Sequence, residues 1–130
     1  GLEGKFSVQH SAAIVTHEGK SQARQYSDAA VQDPAVTTLR TKVLVAIEPG
    51  IRVDEAKVTV TLLDGRTLHH HVVHALGSIE RPMNDEQVDA KFMDLASNVM
   101  TPEQARQALA ACRSVGRAID AGAVGRALGV

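Results

Sequence analysis

The chain has 130 residues, of which 44% are hydrophobic and 22% are charged. This length and composition are those of one soluble globular domain. The 14 basic and 15 acidic side chains leave a formal net charge of −1. The basic residues form no block that could neutralise phosphates and only 2% of residues are aromatic, which argues against a nucleic-acid-binding protein. No apolar run approaches the roughly 20 residues that span a bilayer, and a single cysteine, Cys112, excludes an internal disulfide, so we expect a cytoplasmic protein that does not enter a membrane.

The first third of the chain shows the pattern of short helices. Ser7 is a candidate N-cap for a helix that carries Val8, Ala12 and Val15 on one apolar face. Gly19 is placed to end this helix, because glycine adopts the left-handed conformation that closes many helices.

A second group of helix signals follows. Residues 28–32 predict one helical turn at most. Asp33 directly before Pro34 is typical of an N-cap followed by proline at the first helical position. The helix that begins there is expected to turn Val36 and Leu39 inward.

The spacing of apolar residues then changes from helical to alternating. Residues 43–47, 57–62 and 68–73 alternate as strands, and Asp64-Gly65 turns the chain between the last two. We therefore expect an α+β fold with a small antiparallel sheet of about three to four strands, helices packed on one face, and a helical C-terminal third.

The register of the hairpin follows from the choice of loop. A three-residue loop places Val60 opposite Leu68, whereas a two-residue loop places it opposite His69. Burying the leucine with the valines favours the three-residue loop, a type I turn with Gly65 in the left-handed region. His69 and His71 then face solvent or a partner.

The last third of the chain contains two clear helix starts. Asn84 with Gln87, and Thr101 with Gln104, have the spacing of capping boxes. The glycines of residues 116–130 each cost a helix about 1 kcal/mol relative to alanine. We expect this tail to need a partner surface.

The histidines of the second strand are the first group to consider as metal ligands. In a strand, His69 and His71 point to one side, while His70 and His74 point to the other and are separated by roughly 13 Å. The first pair could bind zinc adventitiously, but no cysteine or acidic residue has convincing spacing. The pattern predicts a solvated strand face, with no metal and no cofactor.

The residues alone predict no self-sufficient active site. The acids lie scattered at caps and turns, no nucleophile has a base beside it in a recognisable arrangement, and no glycine-rich phosphate loop is present. His10 is the exception, because imidazole titrates near neutrality. Because the residues form no complete active site, the chain can equally be read as a self-contained, non-catalytic interaction or ligand-binding domain, and this alternative stays open.

Several motifs resemble, in order and spacing, the C-terminal domain of the MmgE/PrpD family. They are Phe6-Ser7-Val8-Gln9-His10 before Glu18-Gly19, Ser27-Asp28 with Asp33-Pro34, the strand pair around Asp64-Gly65, Gly77-Ser78 with Pro82, and Lys91-Phe92.

The resemblance implies a two-domain enzyme of which residues 1–130 are the smaller α+β lid. Since the sequence begins without a methionine, we expect a helical N-terminal domain of the same chain before it, carrying the principal catalytic groups. Family members include 2-methylcitrate dehydratase, which acts in propionate catabolism, cis-aconitate decarboxylase and an iminodisuccinate epimerase. The implied activity is that of a cofactor-independent lyase on small di- or tricarboxylates, a homodimer when full length, with no turnover by the isolated domain.

The same resemblance implies the site residues. His10 stands where the family commonly has tyrosine, and it is the candidate catalytic residue. Gln9, Gly77 and Ser78 are the candidate substrate-binding residues.

Overall fold

A computed structural model describes residues 2–129. Gly1, the expected mid-domain start, and Val130, the end of the predicted tail, lie outside the described residues. The chain divides between Ile47 and Glu48 into two compact units, and each is described by itself. That the whole chain is one domain of a larger enzyme stays a prediction.

The first unit is helical. Its elements are α1 (Leu2–Lys5), α2 (Val8–Glu18), a 3₁₀ helix (Ala23–Tyr26), α3 (Asp28–Gln32) and α4 (Pro34–Arg40).

The predicted helix ends of this unit are confirmed. The Ser7 side chain accepts a hydrogen bond from the backbone N–H of His10, and Asp33 accepts from the backbone N–H groups of the first turn of α4. Gly19 closes α2 with a φ of 73°, a conformation that side chains other than glycine rarely adopt.

The predicted apolar face of α2 is wrong. Val8 and Val15 are exposed, whereas His10, Ala13 and Ile14 are buried. These three positions are spaced i, i+3 and i+4 and therefore also share one helix face. Contact with α4 selects this face over the valine face, and the neighbouring sequence of α2 does not encode that choice.

The core of the first unit is small. Ala13, Ile14 and Val36 are fully or almost fully buried, and Ala30 and Leu39 pack against them. The predicted inward orientation of Val36 and Leu39 is thereby confirmed.

The second unit, as far as residue 129, combines one hairpin with three α-helices and one 3₁₀ helix. Its elements are β1 (Ala56–Thr61), β2 (Thr67–Val72), α5 (Asp85–Ala96), α6 (Pro102–Ser114), a 3₁₀ helix (Val115–Arg117) and α7 (Gly122–Leu128). Both predicted capping boxes, at Asn84 and at Thr101, are present. The α+β fold class is confirmed.

The predicted hairpin register is also confirmed. Val60 lies opposite Leu68 in the antiparallel pair, and the backbone N–H of Leu62 donates to the carbonyl oxygen of Arg66 at 2.8 Å. Gly65 has a φ of 85°, as a three-residue loop requires.

The predicted number of strands is wrong. Within residues 2–129 the sheet has two strands instead of three or four, and residues 43–47 form no strand. A strand needs a neighbouring strand for its backbone groups, and among the described residues no strand pairs with this segment. Leu44 and Ile47 are almost fully exposed.

The face of the hairpin that was expected to be buried is open. Val58, Val60 and Leu68 share this face, and each is exposed. The correct register therefore places the apolar side chains together without covering them.

No helix among residues 2–129 is long and apolar enough to cross a membrane.

Candidate functional site

His10 lies on the buried face of α2, and its side chain has no exposed surface. Its Nε2 lies 2.9 Å from the backbone carbonyl oxygen of Gln25. Because a carbonyl only accepts hydrogen bonds, Nε2 carries a proton and donates it. His10 Nδ1 is the one fully buried side-chain nitrogen or oxygen among residues 2–129 that lacks a hydrogen-bond partner.

The walls around the His10 ring are close. The ring of Tyr26 meets it edge to face, with 5.3 Å between centroids and an interplanar angle of 65°. On another side lies Gly4. A Cβ added at Gly4 would lie 3.6 Å from Cδ2 of His10 and 2.6 Å from Cγ2 of Val31. A side chain at this position would therefore require Val31 to move.

The carbonyl that holds His10 is itself fixed by side-chain contacts. Nε2 of Gln25 donates to a carboxylate oxygen of Glu18 at 2.9 Å, and Oε1 of Gln25 accepts from the backbone N–H of Gln22 at 3.0 Å. The Tyr26 hydroxyl is hydrogen-bonded to Ser11 Oγ at 2.9 Å. The 3₁₀ helix is thus fastened to α2, and the His10 ring is held in one orientation.

Gln9 and His10 are adjacent but differ in environment. Gln9 is exposed, whereas His10 is buried. Oε1 of Gln9 accepts a hydrogen bond from the Ser7 hydroxyl at 3.4 Å, and its exposed side chain lies where a ligand at the surface could contact it. His10 reaches a ligand only where its walls of Tyr26 and Gly4 move or where another chain segment completes the pocket, so its catalytic role stays a prediction.

Gly77 and Ser78 lie in a turn of the second unit. Gly77 has a φ of 94°, and its N–H donates to the carbonyl oxygen of Arg81 at 2.8 Å. The Ser78 hydroxyl accepts from the backbone N–H of Arg81 at 3.2 Å. These bonds close the turn, and substrate binding by these two residues stays a prediction.

An open cleft of about 530 Å³ lies beside this turn, at the end of the hairpin away from its loop. Apolar atoms supply most of its lining surface, although five of the seven lining residues are polar or charged; these seven are Arg52, Val53, Asp54, His74, Ser78, Ile79 and Glu80.

Two histidine–carboxylate pairs lie at this end of the hairpin. His74 Nδ1 is 2.7 Å from Asp54 Oδ2, and His71 Nε2 is 2.7 Å from Glu55 Oε1. The hydrogen bond from His74 lowers the pKa of Asp54 below its ordinary value, and the bond from His71 does the same for the pKa of Glu55. Both contacts favour the ionised carboxylate.

The sequence contained a signal for the Asp54–His74 pair that our interpretation missed. Ala56 pairs with Val72, and extending the same register by two residues places Asp54 opposite His74. We grouped the acids as cap and turn residues and compared His74 only with His70. Side chains that are distant in sequence become neighbours when the strands that carry or flank them pair in a fixed register.

The model of the family described as MmgE/PrpD C-terminal domain matches residues 1–115 of the chain. The matched range contains the His10 environment and the whole cleft. No curated protein matches the chain.

Proposed function

The chain belongs to the MmgE/PrpD family, as its C-terminal domain, and from this premise we propose that it closes the active site of a lyase that acts on small di- or tricarboxylates. The reaction that we propose is dehydration, as in 2-methylcitrate dehydratase. A proton leaves the carbon next to a carboxylate, the neighbouring C–O bond breaks, and the products are an alkene and water.

The single observation that carries the proposal is the family match over residues 1–115. The burial and hydrogen bonding of His10 support the proposal. A fully buried imidazole with one nitrogen bonded and the other unpartnered among residues 2–129 is costly to maintain. Such a group is expected where a further segment or a ligand supplies the missing hydrogen bond.

The surface of the first unit also supports a partner domain. Phe6 is 83% exposed, and Leu2 and Val8 on either side of it in sequence are exposed as well. Large apolar side chains concentrated in so short a segment are typical of surfaces that another protein segment covers. We propose that a helical N-terminal domain of the same chain covers them and carries the principal catalytic groups.

In this proposal the domain contributes closure and secondary contacts. It excludes water from the bound acid, while His10 exchanges a proton with the substrate and Gln9, Gly77 and Ser78 bind it. The full-length enzyme is proposed to be a cytoplasmic homodimer that needs no cofactor.

The test is a substrate screen with the full-length protein. 2-Methylcitrate and cis-aconitate are incubated with it, and the products are followed by NMR. We expect formation of an alkene from the hydroxy acid. If a correctly folded full-length protein turns over no small polycarboxylate, the lyase proposal is wrong and a non-catalytic binding domain takes its place.

A further inference from the structure

Three metal-ligating side chains meet at the cleft of the second unit. One ligand atom from each of Asp54, His74 and Glu80 lies within 4.8 Å of the other two. We propose that these three residues, called here the hairpin triad, bind a divalent transition-metal ion, for which Zn²⁺ is the reference. The proposal is separate from the lyase function.

The distances within the triad bracket those of a zinc site. Zinc bonds of about 2.0–2.2 Å in tetrahedral geometry place ligand atoms about 3.4 Å apart. His74 Nδ1 lies 2.7 Å from Asp54 Oδ2 and 3.9 Å from Glu80 Oε2. Small side-chain rotations bring both distances to the required value, and all three side chains retain exposed surface that permits them.

The backbone presents the triad from two rigid features. Asp54 lies in the turn before β1, which a hydrogen bond from Glu55 N–H to the Arg52 carbonyl oxygen closes at 3.1 Å. His74 follows β2, and the last strand pair, Ala56 with Val72, brings these two segments together. Glu80 belongs to the turn that the hydrogen bond from Gly77 N–H to the Arg81 carbonyl closes at 2.8 Å. The ligands therefore do not depend on a disordered loop to come together.

The ligand chemistry selects the class of ion. An imidazole nitrogen with two carboxylate oxygens suits zinc and neighbouring first-row ions, whereas magnesium and calcium prefer oxygen ligands alone. Binding uses the lone pair of His74 Nδ1. The proton that Nδ1 shares with Asp54 must leave first: it moves to Nε2 in a neutral ring, or is released to solvent from a ring that is protonated on both nitrogens.

Substitution of Arg52 distinguishes binding of a cation at the triad from binding of an anion. Its Nε lies 3.7 Å from Asp54 Oδ1, and its Nη2 donates to the carbonyl oxygen of Val73 at 2.9 Å. The guanidinium is also 3.4 Å from His74 Nε2. Its positive charge opposes a bound cation, so removing that charge strengthens cation binding, whereas it would weaken the binding of an anion.

The histidines of β2 provide matched controls. His69 Nδ1 is engaged with Thr59 Oγ1 at 3.0 Å, and His71 Nε2 with Glu55 at 2.7 Å. Neither belongs to the triad. If zinc bound to histidine-rich surface alone, replacing these two residues would remove the binding.

The experiment is titration of the chain with Zn²⁺ by calorimetry at about pH 7, with Mg²⁺ as the contrasting ion. We expect one zinc ion per chain and no comparable magnesium binding. His74→Ala and Glu80→Gln each lower zinc affinity at least about tenfold, Arg52→Gln raises it, and the double variant His69→Ala/His71→Ala leaves it unchanged. Glu80→Gln alters an exposed side chain and keeps the test valid even where His74→Ala unfolds.

Two results overturn the proposal. One is unchanged zinc affinity in Glu80→Gln, and the other is loss of zinc binding in the His69/His71 double variant. The readout is ion binding, so it is independent of whether the full-length protein acts on polycarboxylates.

Discussion

His10 combines full burial, a hydrogen bond from Nε2 to the Gln25 carbonyl, and an Nδ1 atom with no partner among residues 2–129. His10→Ala removes the ring and leaves that carbonyl unpaired. We expect the free energy of unfolding to fall by about 2–4 kcal/mol, measured by urea denaturation.

His17→Ala is the matched control for this substitution. His17 lies in the same helix but is exposed, so its replacement is expected to change stability by less than about 0.5 kcal/mol. Equal effects of the two substitutions would contradict the structural role assigned to His10.

Substitution of Gly4 is expected to destabilise the first unit. Gly4→Ala places a Cβ 2.6 Å from Val31 Cγ2, so Val31 or the backbone of α1 must shift, and we expect the free energy of unfolding to fall by about 1–3 kcal/mol. Gly116→Ala is the comparison, because its Cβ would meet nothing within 4 Å. Thermal unfolding of both variants measures the difference, and a Gly4→Ala protein as stable as Gly116→Ala would contradict the close packing.

The histidine–carboxylate pairs of the hairpin make the stability of the second unit depend on pH. Hydrogen bonds from His74 and His71 lower the pKa of Asp54 and of Glu55. A carboxyl whose folded pKa is depressed adds stability above its unfolded pKa, and this stability is lost as pH falls through the folded value. The contribution is therefore complete above about pH 5 and declines below about pH 4.

Urea denaturation between neutral and acidic pH measures this loss. The double variant Asp54→Asn/Glu55→Gln has no such carboxyls, and we expect its stability to fall less on acidification than that of the unaltered chain. An equal fall in the two proteins would contradict the role of the histidine–carboxylate pairs.

Local chemistry explains which elements were predictable from sequence. The caps at Ser7, Asp33 and Thr101 were identified correctly because an N-cap depends on a few adjacent residues. The hairpin register followed from loop length and side-chain alternation. The strand over residues 43–47 was wrong because alternation in sequence does not supply a pairing partner.

The candidate site was less predictable than the elements. The burial of His10 depends on which face of α2 packs on α4, a tertiary choice between two apolar faces. The pair of Asp54 with His74 was within reach of sequence reasoning, because the predicted register already implied it. Glu80 joins them through the turn that Gly77 begins, and nothing in the spacing of that loop indicated its direction.

At the scale of the whole molecule, the described residues bury little apolar surface. Phe6 and Leu2 in the first unit, and Val58 and Leu68 in the second, remain exposed. Unpaired apolar surface of this kind is expected to be covered by another segment or another chain. Together with the family match over residues 1–115, this exposure is the basis of our proposal that the domain works as part of a larger enzyme.

The most direct test of that account compares turnover of 2-methylcitrate by three proteins: the full-length enzyme that we propose, its proposed N-terminal domain alone (the upstream part), and residues 1–130 alone. We predict alkene formation by the full-length chain and none by residues 1–130, with a rate for the upstream part at least about 100-fold lower, because closure of the site is lost. Turnover by residues 1–130 alone, or an undiminished rate for the upstream part alone, would contradict the proposal that this domain closes the active site.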